Sequence, residues 1–220
     1  MKQLDKLNRT GWDFAKEYKI IGGKRVLVNG GVHKDEQTGL KYATFSRTIK
    51  GKTEYCVAFA GTDMNGLNKE TIQDCIADAI NYIGGISLQH AGAAGTALAA
   101  NKIFGKCDLT FTGHSLGGGL ASFASKLTGK DAIVFNPASL SLLCSVVGDV
   151  VSLFKGRGSI TKYISGGSFG YLNGDPVTIG QGLTGQIADG KTNIIFTKNS
   201  FSHGINDIIE TFEKYRCLIK

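Results

Sequence analysis

The stretch that decides the fold is CDLTFTGHSLGGGLASFASKL, residues 107–127. Its first six residues alternate apolar Leu109 and Phe111 with polar neighbours, which predicts a short strand. From Leu116 to Leu127, small and apolar residues recur at helical spacing, which predicts a helix with one buried face. Between them lies a turn around Ser115 with glycine on both sides, where a β-carbon would crowd a tight bend. The sequence therefore predicts a strand, a sharp turn that carries a serine, and a helix.

Residues Gly113 to Gly117 have the pattern Gly-x-Ser-x-Gly, which is typical of the turn called a nucleophile elbow. In such a turn a strained backbone lifts the serine hydroxyl clear of the chain, after a strand and before a helix. The pattern alone is common in a chain with 31 glycines, and the flanking strand and helix make it specific. We therefore predict that Ser115 is a nucleophile rather than a serine in an ordinary glycine-rich turn.

Strand and helix patterns alternate along the rest of the chain. A hairpin is expected over Gly39–Ala60, and the glycine-rich segment Ile164–Gly190 is expected to be mostly loop. Further expected elements are helices over 67–82 and 90–104, strands over 131–135, 160–164 and 193–197, and a last helix over 203–215. This alternation predicts an α/β fold with a mostly parallel central sheet flanked by helices.

The length of 220 residues predicts a single domain over residues 1–220 with a sizeable core. No run of about eighteen apolar residues is present, so no segment is expected to span a membrane. The N-terminus carries scattered charge without the apolar centre of a signal peptide, and it resembles an amphipathic helix, with Leu4, Leu7, Phe14, Ala15 and Tyr18 on one side. We expect synthesis in the cytoplasm, with any export by a route that needs no cleavable signal.

Charge and cysteine usage narrow the cofactors and partners. Five cysteines stand singly, without a Cys-x-x-Cys pair, which predicts free thiols and a reducing place of synthesis. Neither they nor the four histidines have the spacing of metal ligands, so no metal and no cofactor are expected. The net charge of +7 favours anionic partners. Because no lysine-arginine run or nucleic-acid motif is present, we expect contact with an anionic membrane rather than with nucleic acid.

A serine hydroxyl becomes a good nucleophile when a histidine takes its proton and a carboxylate orients that histidine. In α/β-hydrolases the chain order is serine, acid, histidine, and His203 is the only histidine after Ser115. Among the aspartates, Asp175 follows a predicted strand, where loops at the ends of strands carry catalytic groups. Asp189 and Asp207 remain alternatives for the acid, and the Asn-Gly-Asp-Pro sequence around Asp175 is also a common surface turn.

Taken in order, the motifs resemble those of the class 3 lipases, the α/β-hydrolase family that includes the small fungal triacylglycerol lipases. The resemblance covers Gly39 to Ile208, which is most of the chain. It rests on an oxyanion segment, a lid region, the elbow, and acid and base segments, at Phe59–Asp63, Cys75–Asp78, Gly113–Gly118, Asn173–Val177 and Ser202–His203. The chain departs from the family pattern at Ala60, where the family usually has arginine, and in the short span from acid to base.

The resemblance implies an α/β-hydrolase fold and a serine ester hydrolase that acts on lipids, as a triacylglycerol lipase or a phospholipase. It implies a triad of Ser115, Asp175 and His203, with an oxyanion hole formed by the backbone amides of Thr62 and Leu116. Gly-Thr-Asp at Thr62 is also a plausible helix N-cap. The family also supplies small bacterial lipid-degrading toxins, so an effector of that kind is one expectation. The alternatives are a soluble carboxylesterase or thioesterase, and a catalytically silent binding protein with the same fold.

Two apolar segments have the composition to meet a lipid surface. Leu67–Ile83 holds the position of the family's lid, and Leu140–Phe154 has more apolar residues than one half-buried helix face requires. Packing in the core is the other explanation of both segments. For Leu140–Phe154 the sequence favours neither explanation.

Overall fold

The computed structural model describes residues 10–21, 24–61, 87–166, 174–183, 188–199 and 203–218. The strands are β1 (Asp13–Phe14), β2 (Lys16–Ile21), β3 (Lys24–Asn29), β4 (Val32–Lys34), β5 (Lys41–Ile49), β6 (Lys52–Phe59), β7 (Asp108–His114), β8 (Asp131–Phe135), β9 (Ile160–Gly166) and β10 (Lys191–Phe196). The helices are α1 (Leu88–Phe104), α2 (Leu116–Thr128), α3 (Leu142–Lys155), α4 (Pro176–Leu183) and α5 (Ile205–Leu218). The predicted helix over 67–82 and the lid region Cys75–Asp78 lie outside the described residues.

Within the described part of the chain, one eight-stranded sheet has the order β1-β5-β6-β7-β8-β9-β10, with β4 paired to β5. β5 and β6 form the predicted antiparallel hairpin, which turns at Lys50 and Gly51 with positive φ at both residues. From β6 through β10 every neighbouring pair of strands is parallel. The prediction of an α/β fold with a mostly parallel central sheet is confirmed.

Helix α2 lies against one face of the sheet because its apolar side meets the inward side chains of the central strands. Leu120 of α2 packs with Phe111 of β7 and Val134 of β8 in the main core. On a second side of α2, Phe123 packs with the buried Cys144 of α3. The start of α2 is thereby held at the end of β7, where the serine-bearing turn lies.

Helix α5 covers part of the opposite face of the sheet. Successive side chains of a strand point to opposite faces, so Phe135 points away from the side that Val134 buries against α2. The ring of Phe212 in α5 meets the rings of Phe135 and Tyr163 edge-on, with centroids 6.4 and 5.3 Å apart. The prediction that helices flank the sheet is therefore confirmed, and they lie on both of its faces.

The prediction of an N-terminal amphipathic helix is wrong for the residues that the structure describes. Phe14 lies in β1 and Tyr18 in β2, and Leu4 and Leu7 lie outside the described residues. The strands form because partners supply backbone hydrogen bonds: β1 pairs with β5, and β2 pairs with β3 in a separate two-stranded sheet. Phe14 stacks on Phe45 with ring centroids 5.1 Å apart, and Ala15 is buried. Tertiary pairing thus overrides the local helical spacing.

The expectation that Ile164–Gly190 is mostly loop is also corrected in its described part. Strand β9 continues to Gly166, and α4 occupies Pro176–Leu183. Proline is favoured in the first turn of a helix because its missing N–H has no intrahelical partner there. Asp175 precedes it and caps the helix, since its Oδ2 accepts a hydrogen bond from the amide of Thr178 at 2.8 Å. Asp175 and Pro176 therefore begin a helix, and Asp175 is buried rather than at the surface.

Helix α3 resolves the question of how Leu140–Phe154 packs. Its buried residues are all small: Cys144, Gly148 and Ser152. Its large apolar side chains are instead exposed, from 48% at Leu143 to 85% at Phe154: Leu142, Leu143, Val146, Val150, Leu153 and Phe154. At 3.6 residues per turn these six positions fall within an arc of about 120°. Core packing accounts for one side of α3 and leaves this apolar face, hereafter the α3 apolar face, uncovered by the described residues.

Three of the five cysteines are described with their side chains, and Cys56, Cys107 and Cys144 are all free thiols. In the same part of the chain, no cluster of three or more histidine, cysteine or carboxylate side chains has the arrangement of a metal site. None of the described helices combines the length and the apolar character needed to cross a bilayer.

Candidate active site

The turn between β7 and α2 holds Ser115 in a strained conformation. Ser115 has φ 56° and ψ −126°, in a region that residues with a β-carbon rarely adopt. Its backbone N–H donates to the carbonyl oxygen of Phe135 at 3.1 Å, and its carbonyl oxygen accepts from the amides of Gly118 and Ala138. Such strain persists only where surrounding bonds over-determine the backbone. Although Ser115 is the N-cap residue of α2, its hydroxyl makes no capping hydrogen bond.

The glycines of the turn are required because backbone segments approach there too closely for a side chain. A β-carbon at Gly113 would lie 2.2 Å from the carbonyl oxygen of Gly117. A β-carbon at Gly117 would lie 2.3 Å from the carbonyl oxygen of Phe59, at the end of β6. At Gly61 it would meet the carbonyl oxygen of His114 at 2.6 Å. The chain that leaves β6 therefore lies directly against the serine-bearing turn.

The structure brings Ser115, His203 and Asp175 together in one hydrogen-bonded row. Ser115 Oγ lies 2.7 Å from His203 Nε2, and His203 Nδ1 lies 2.5 Å from Asp175 Oδ1. All three residues are buried, with Asp175 only 1% exposed. Because an ionised carboxylate accepts hydrogen bonds only, His203 Nδ1 carries the proton. Nε2 is then the acceptor that faces the serine hydroxyl.

The second oxygen of Asp175 is bound by Thr178. Asp175 Oδ2 accepts hydrogen bonds from the Thr178 amide at 2.8 Å and from Thr178 Oγ1 at 2.5 Å. The backbone N–H of Asp175 donates to the carbonyl oxygen of Ser165, near the end of β9, at 2.8 Å. The carboxylate is thus fixed from both sides: α4 supplies donors to one oxygen and His203 to the other.

The other candidate acids have different partners. Asp189 Oδ2 pairs with Lys126 Nζ at 2.8 Å, and Asp207 Oδ1 accepts from Asn199 Nδ2 at 2.8 Å. The remaining histidines outside the turn are also bound elsewhere. His33 pairs with Glu17, and His90 Nδ1 bonds Ser87 Oγ, as expected for structural residues.

Of the two predicted oxyanion donors, the structure describes Leu116. It is the first residue of α2, and the first amides of a helix have no partner within that helix. Thr62 lies outside the described residues. Its neighbour Gly61 is described, and a β-carbon built there lies 3.4 Å from Ser115 Cβ. The segment that leaves β6 therefore lies beside the serine at Gly61, the residue before Thr62.

Sequence reasoning missed three residues that contact this row. Thr178 had a local signal. An aspartate followed by a proline is typical of a helix start, and the capping aspartate accepts a hydrogen bond from the amide of the third helical residue, which here is Thr178. His114 and Asn136 both bind the backbone carbonyl of His203, across 89 and 67 positions of sequence. No sequence pattern indicates contacts over such separations.

The family is shown by a sequence comparison. Residues 11–162 match a family model described as "Phospholipase-like: Tle-like phospholipase domain". The chain belongs to the Tle-like phospholipase domain family. Of the predicted resemblance to class 3 lipases, the coarser part, membership of a lipase or phospholipase family, is confirmed, and the family that matches is phospholipase-like. The matched range includes the serine-bearing turn and ends before Asp175 and His203.

One curated relative is the extracellular phospholipase A1 of Serratia liquefaciens, which is 36% identical over 88 residues. Those residues make up 40% of this chain and 25% of that protein, so the chain spans about a quarter of its relative's length.

Solved structures of esterases are distantly similar. Acetyl xylan esterase 1 from a Thermoanaerobacterium species is 15% identical, with a TM-score of 0.39 over 96% of this chain and 90% of that one. Carboxyl esterase 2 from the fungus Tuber melanosporum is 12% identical, with a TM-score of 0.37 over 90% and 80% of the two chains.

Proposed function

We propose that this chain is a serine ester hydrolase that acts on lipids, with Ser115 as nucleophile, His203 as general base and Asp175 as the acid that orients His203. The observation that carries the proposal is the hydrogen-bonded row from Ser115 Oγ through His203 to Asp175 Oδ1. It lies at a strained strand-to-helix turn, the arrangement of α/β-hydrolases. Membership of a phospholipase-like family supports the same activity.

The proposed reaction proceeds through an acyl-enzyme. Ser115 Oγ attacks the ester carbonyl while its proton passes to His203 Nε2, and Asp175 stabilises the imidazolium that forms. The tetrahedral intermediate collapses as His203 gives that proton to the departing alcohol, which leaves the acyl group on Ser115. Water then attacks the acyl-enzyme with His203 again acting as base, and the fatty acid is released. Each step uses groups of this chain and water.

We assign the oxyanion hole to the backbone amides of Leu116 and Thr62. The position of Leu116 at the start of α2 and the approach of Gly61 to Ser115 support this assignment. Thr62→Val keeps the amide and should cost at most about a hundredfold in kcat. Thr62→Pro removes the donor and should cost about 10²–10³ or more. Equal kinetics for the two variants would exclude the Thr62 amide.

Phospholipid is the substrate class that the family match favours, and the finer resemblance to class 3 lipases extends the proposal to triacylglycerols. The Serratia liquefaciens relative is named as a phospholipase A1, which supports hydrolysis of a phospholipid acyl ester by this chain. A bacterial lipid-degrading effector is a further proposal consistent with the family. A soluble carboxylesterase or thioesterase is the alternative enzyme, and a silent binding protein is the alternative outside enzymology.

The α3 apolar face supports contact with a membrane. Its exposed leucines, valines and phenylalanine begin at Leu142, six residues after Asn136, which is buried beside the site. The connection is tied to the serine-bearing turn, because the amide of Ala138 donates to the carbonyl oxygen of Ser115 at 2.9 Å. The Leu142 end of the face therefore lies near the site, whereas the chain just after Phe154 lies beside Gly129, at the opposite end of α2. The net charge of +7 favours an anionic surface.

A fluorophosphonate probe tests the proposal directly, because it forms a covalent bond with an activated serine. The folded chain should be labelled at Ser115, and Ser115→Ala should abolish labelling, whereas the control Ser46→Ala on β5 should label normally. Absence of labelling in the folded protein would support the binding protein instead.

A panel of substrates distinguishes an enzyme that acts on lipids from a soluble carboxylesterase or thioesterase. It runs from short soluble esters through thioesters to phospholipid vesicles. Release of fatty acid from vesicles at a higher kcat/KM than from soluble esters supports the lipid enzyme. Turnover of the soluble esters alone would identify a carboxylesterase or thioesterase.

A further inference from the structure

The backbone carbonyl of His203 is held by two side chains that the mechanism does not use. His114 Nε2 lies 2.6 Å from this oxygen, and Asn136 Nδ2 lies 3.3 Å from it. A carbonyl oxygen has two lone pairs, so two donors fill its hydrogen-bonding capacity. His114 ends β7 and Asn136 follows β8, and both are therefore positioned by the central sheet. These contacts fix the main chain from which the proposed catalytic imidazole projects.

Asn136 also connects the base to the acid. Its side-chain Oδ1 accepts from the amide of Ser165 at 2.8 Å, which places Nδ2 toward the His203 carbonyl and toward Ser165 Oγ at 3.0 Å. The carbonyl of Ser165 in turn accepts from the amide of Asp175. One side chain thus links the backbones of both residues that flank the proton-transfer path.

The burial and the backbone conformation of Asn136 favour asparagine at this position. The residue is fully buried and has φ 39°, in the left-handed region. Asparagine tolerates this conformation better than most residues, because its short polar side chain can form local hydrogen bonds. A buried amide with satisfied donors and acceptor rigidifies its surroundings, whereas one that lacks partners is costly.

His114 is a neutral donor of defined tautomer. A carbonyl oxygen only accepts, so Nε2 of His114 carries the proton. Burial first, and then the charge of nearby His203, lower the pKa of His114 to about 4. The two rings lie with centroids 4.9 Å apart. A neutral His114 holds His203 without placing a second positive charge beside the imidazolium that forms during the reaction.

We propose that Asn136 and His114 are positioning residues that set the distance between His203 Nε2 and Ser115 Oγ through the His203 carbonyl. This inference rests on the proposed function. A displacement of about 1 Å in a catalytic group can cost about a hundredfold in rate. Losing either donor should therefore lower kcat, because the imidazole is misaligned, while substrate binding and KM hardly change.

The test compares variants that differ only in the donor. His114→Phe keeps a ring and loses the N–H, whereas His114→Gln keeps an amide N–H at a similar reach. We expect His114→Phe to lower kcat on a soluble ester about 10- to 100-fold with KM within about twofold, and His114→Gln to recover most of the loss. Asn136→Gly permits the left-handed backbone without the donor and should lose at least as much kcat.

A stability control removes the structural explanation. Ala97→Gly in α1 weakens a buried helix position remote from the site and should leave kcat unchanged. The inference would be overturned by wild-type kcat in His114→Phe or by no recovery of kcat in His114→Gln. It would also be overturned if Ala97→Gly, at the same free energy of unfolding as His114→Phe, lost kcat.

A spectroscopic readout separates this inference from the proposed function. The downfield proton resonance of His203 Nδ1, bonded to Asp175, should be sharp in the wild type and in His114→Gln. In His114→Phe it should shift and broaden. This signal does not require turnover: failure of fluorophosphonate labelling would end the proposed function, whereas an unchanged resonance in His114→Phe would end the positioning role.

Discussion

Asp175 shows, at the scale of single residues, how a buried carboxyl group is supplied with hydrogen-bond donors. One of its oxygens accepts from His203 Nδ1, and the other accepts from the amide and the hydroxyl of Thr178. Burying an ion without such partners is costly, so these bonds are what make the buried position tolerable. The same residue caps α4 and orients His203, so a structural and a proposed catalytic role coincide in one side chain.

The proposed triad should behave as a unit. Ser115→Ala and His203→Ala should each lower kcat by about 10³ or more, and the double variant should be little worse than either, because neither group works without the other. Asp175→Asn should lower kcat less than removal of the serine does.

Asp189→Asn and Asp207→Asn are the matched controls for the acid. A mild Asp175→Asn beside a damaging Asp189→Asn or Asp207→Asn would transfer the acid role to that residue. The rates are measured on a soluble ester, and unfolding midpoints establish that each variant is folded.

His114 should make stability depend on pH in a defined direction. Burial and nearby His203 lower its pKa from 6.5 to about 4, outweighing the opposite effects of its hydrogen bond to the His203 backbone and of Asp175. Between these values the unfolded chain binds the proton and the folded chain does not, so stability is complete above pH 6.5 and falls toward pH 4. At about 1.4 kcal/mol per pKa unit, this group should cost about 1–2 kcal/mol between pH 7.5 and 5.

Urea unfolding of the wild type and of His114→Gln measures that contribution. The variant lacks the titrating ring, so its stability should fall less over the same pH range, while the other titrating groups affect both proteins. Equal falls would show that His114 titrates normally in the folded chain.

At the scale of elements, α3 differs from the helix that it packs against. Every residue of α2 except the first is buried, whereas α3 buries three small residues and exposes six large apolar side chains. An exposed apolar patch of this extent is typical of an interaction site. A lipid surface can cover this patch, because acyl chains contact apolar side chains without a specific geometry.

Substitutions on the α3 apolar face should weaken membrane binding selectively. Leu153→Ser and Phe154→Ser should each reduce association with anionic phospholipid vesicles about tenfold, since burial of such a side chain contributes about 1.5–3 kcal/mol and insertion is partial. Hydrolysis of a short soluble ester should not change. Ile103→Ser on α1, at 69% exposure, is the matched control and should bind vesicles normally. Binding is measured by sedimentation with vesicles. Normal binding by both α3 variants would exclude the α3 apolar face as the membrane-binding surface.

At the scale of the whole molecule, the net charge of +7 should govern the approach to an anionic surface. Each basic residue near such a surface contributes about 1 kcal/mol, and salt screens this attraction over a distance of about 10 Å at 0.1 M. Activity on anionic vesicles should therefore fall steeply as salt is raised, while hydrolysis of a soluble ester hardly changes. Initial rates on both substrates across one salt series make the comparison. Equal salt responses would remove membrane attraction from the proposal.

The sequence by itself determined the elements whose causes are local. Residues 107–127 predicted β7, the turn and α2 correctly, because alternation, helical spacing and the steric needs of glycine act over a few positions. The β5–β6 hairpin followed from the same kind of evidence. The N-terminal prediction failed because Phe14 and Tyr18 also fit a strand once β5 and β3 supply hydrogen bonds.

Only the tertiary structure decided which distant groups meet. Three aspartates remained candidates for the acid on the sequence, and packing of α4 against the end of β9 places Asp175, rather than Asp189 or Asp207, beside His203. Asn136 and His114 reach the His203 carbonyl because neighbouring parallel strands end at one edge of the sheet. The exposure of α3 was likewise undecidable from spacing, which shows that a face is apolar and not what covers it. Contacts of this kind depend on the arrangement of elements in space, and no local pattern encodes that arrangement.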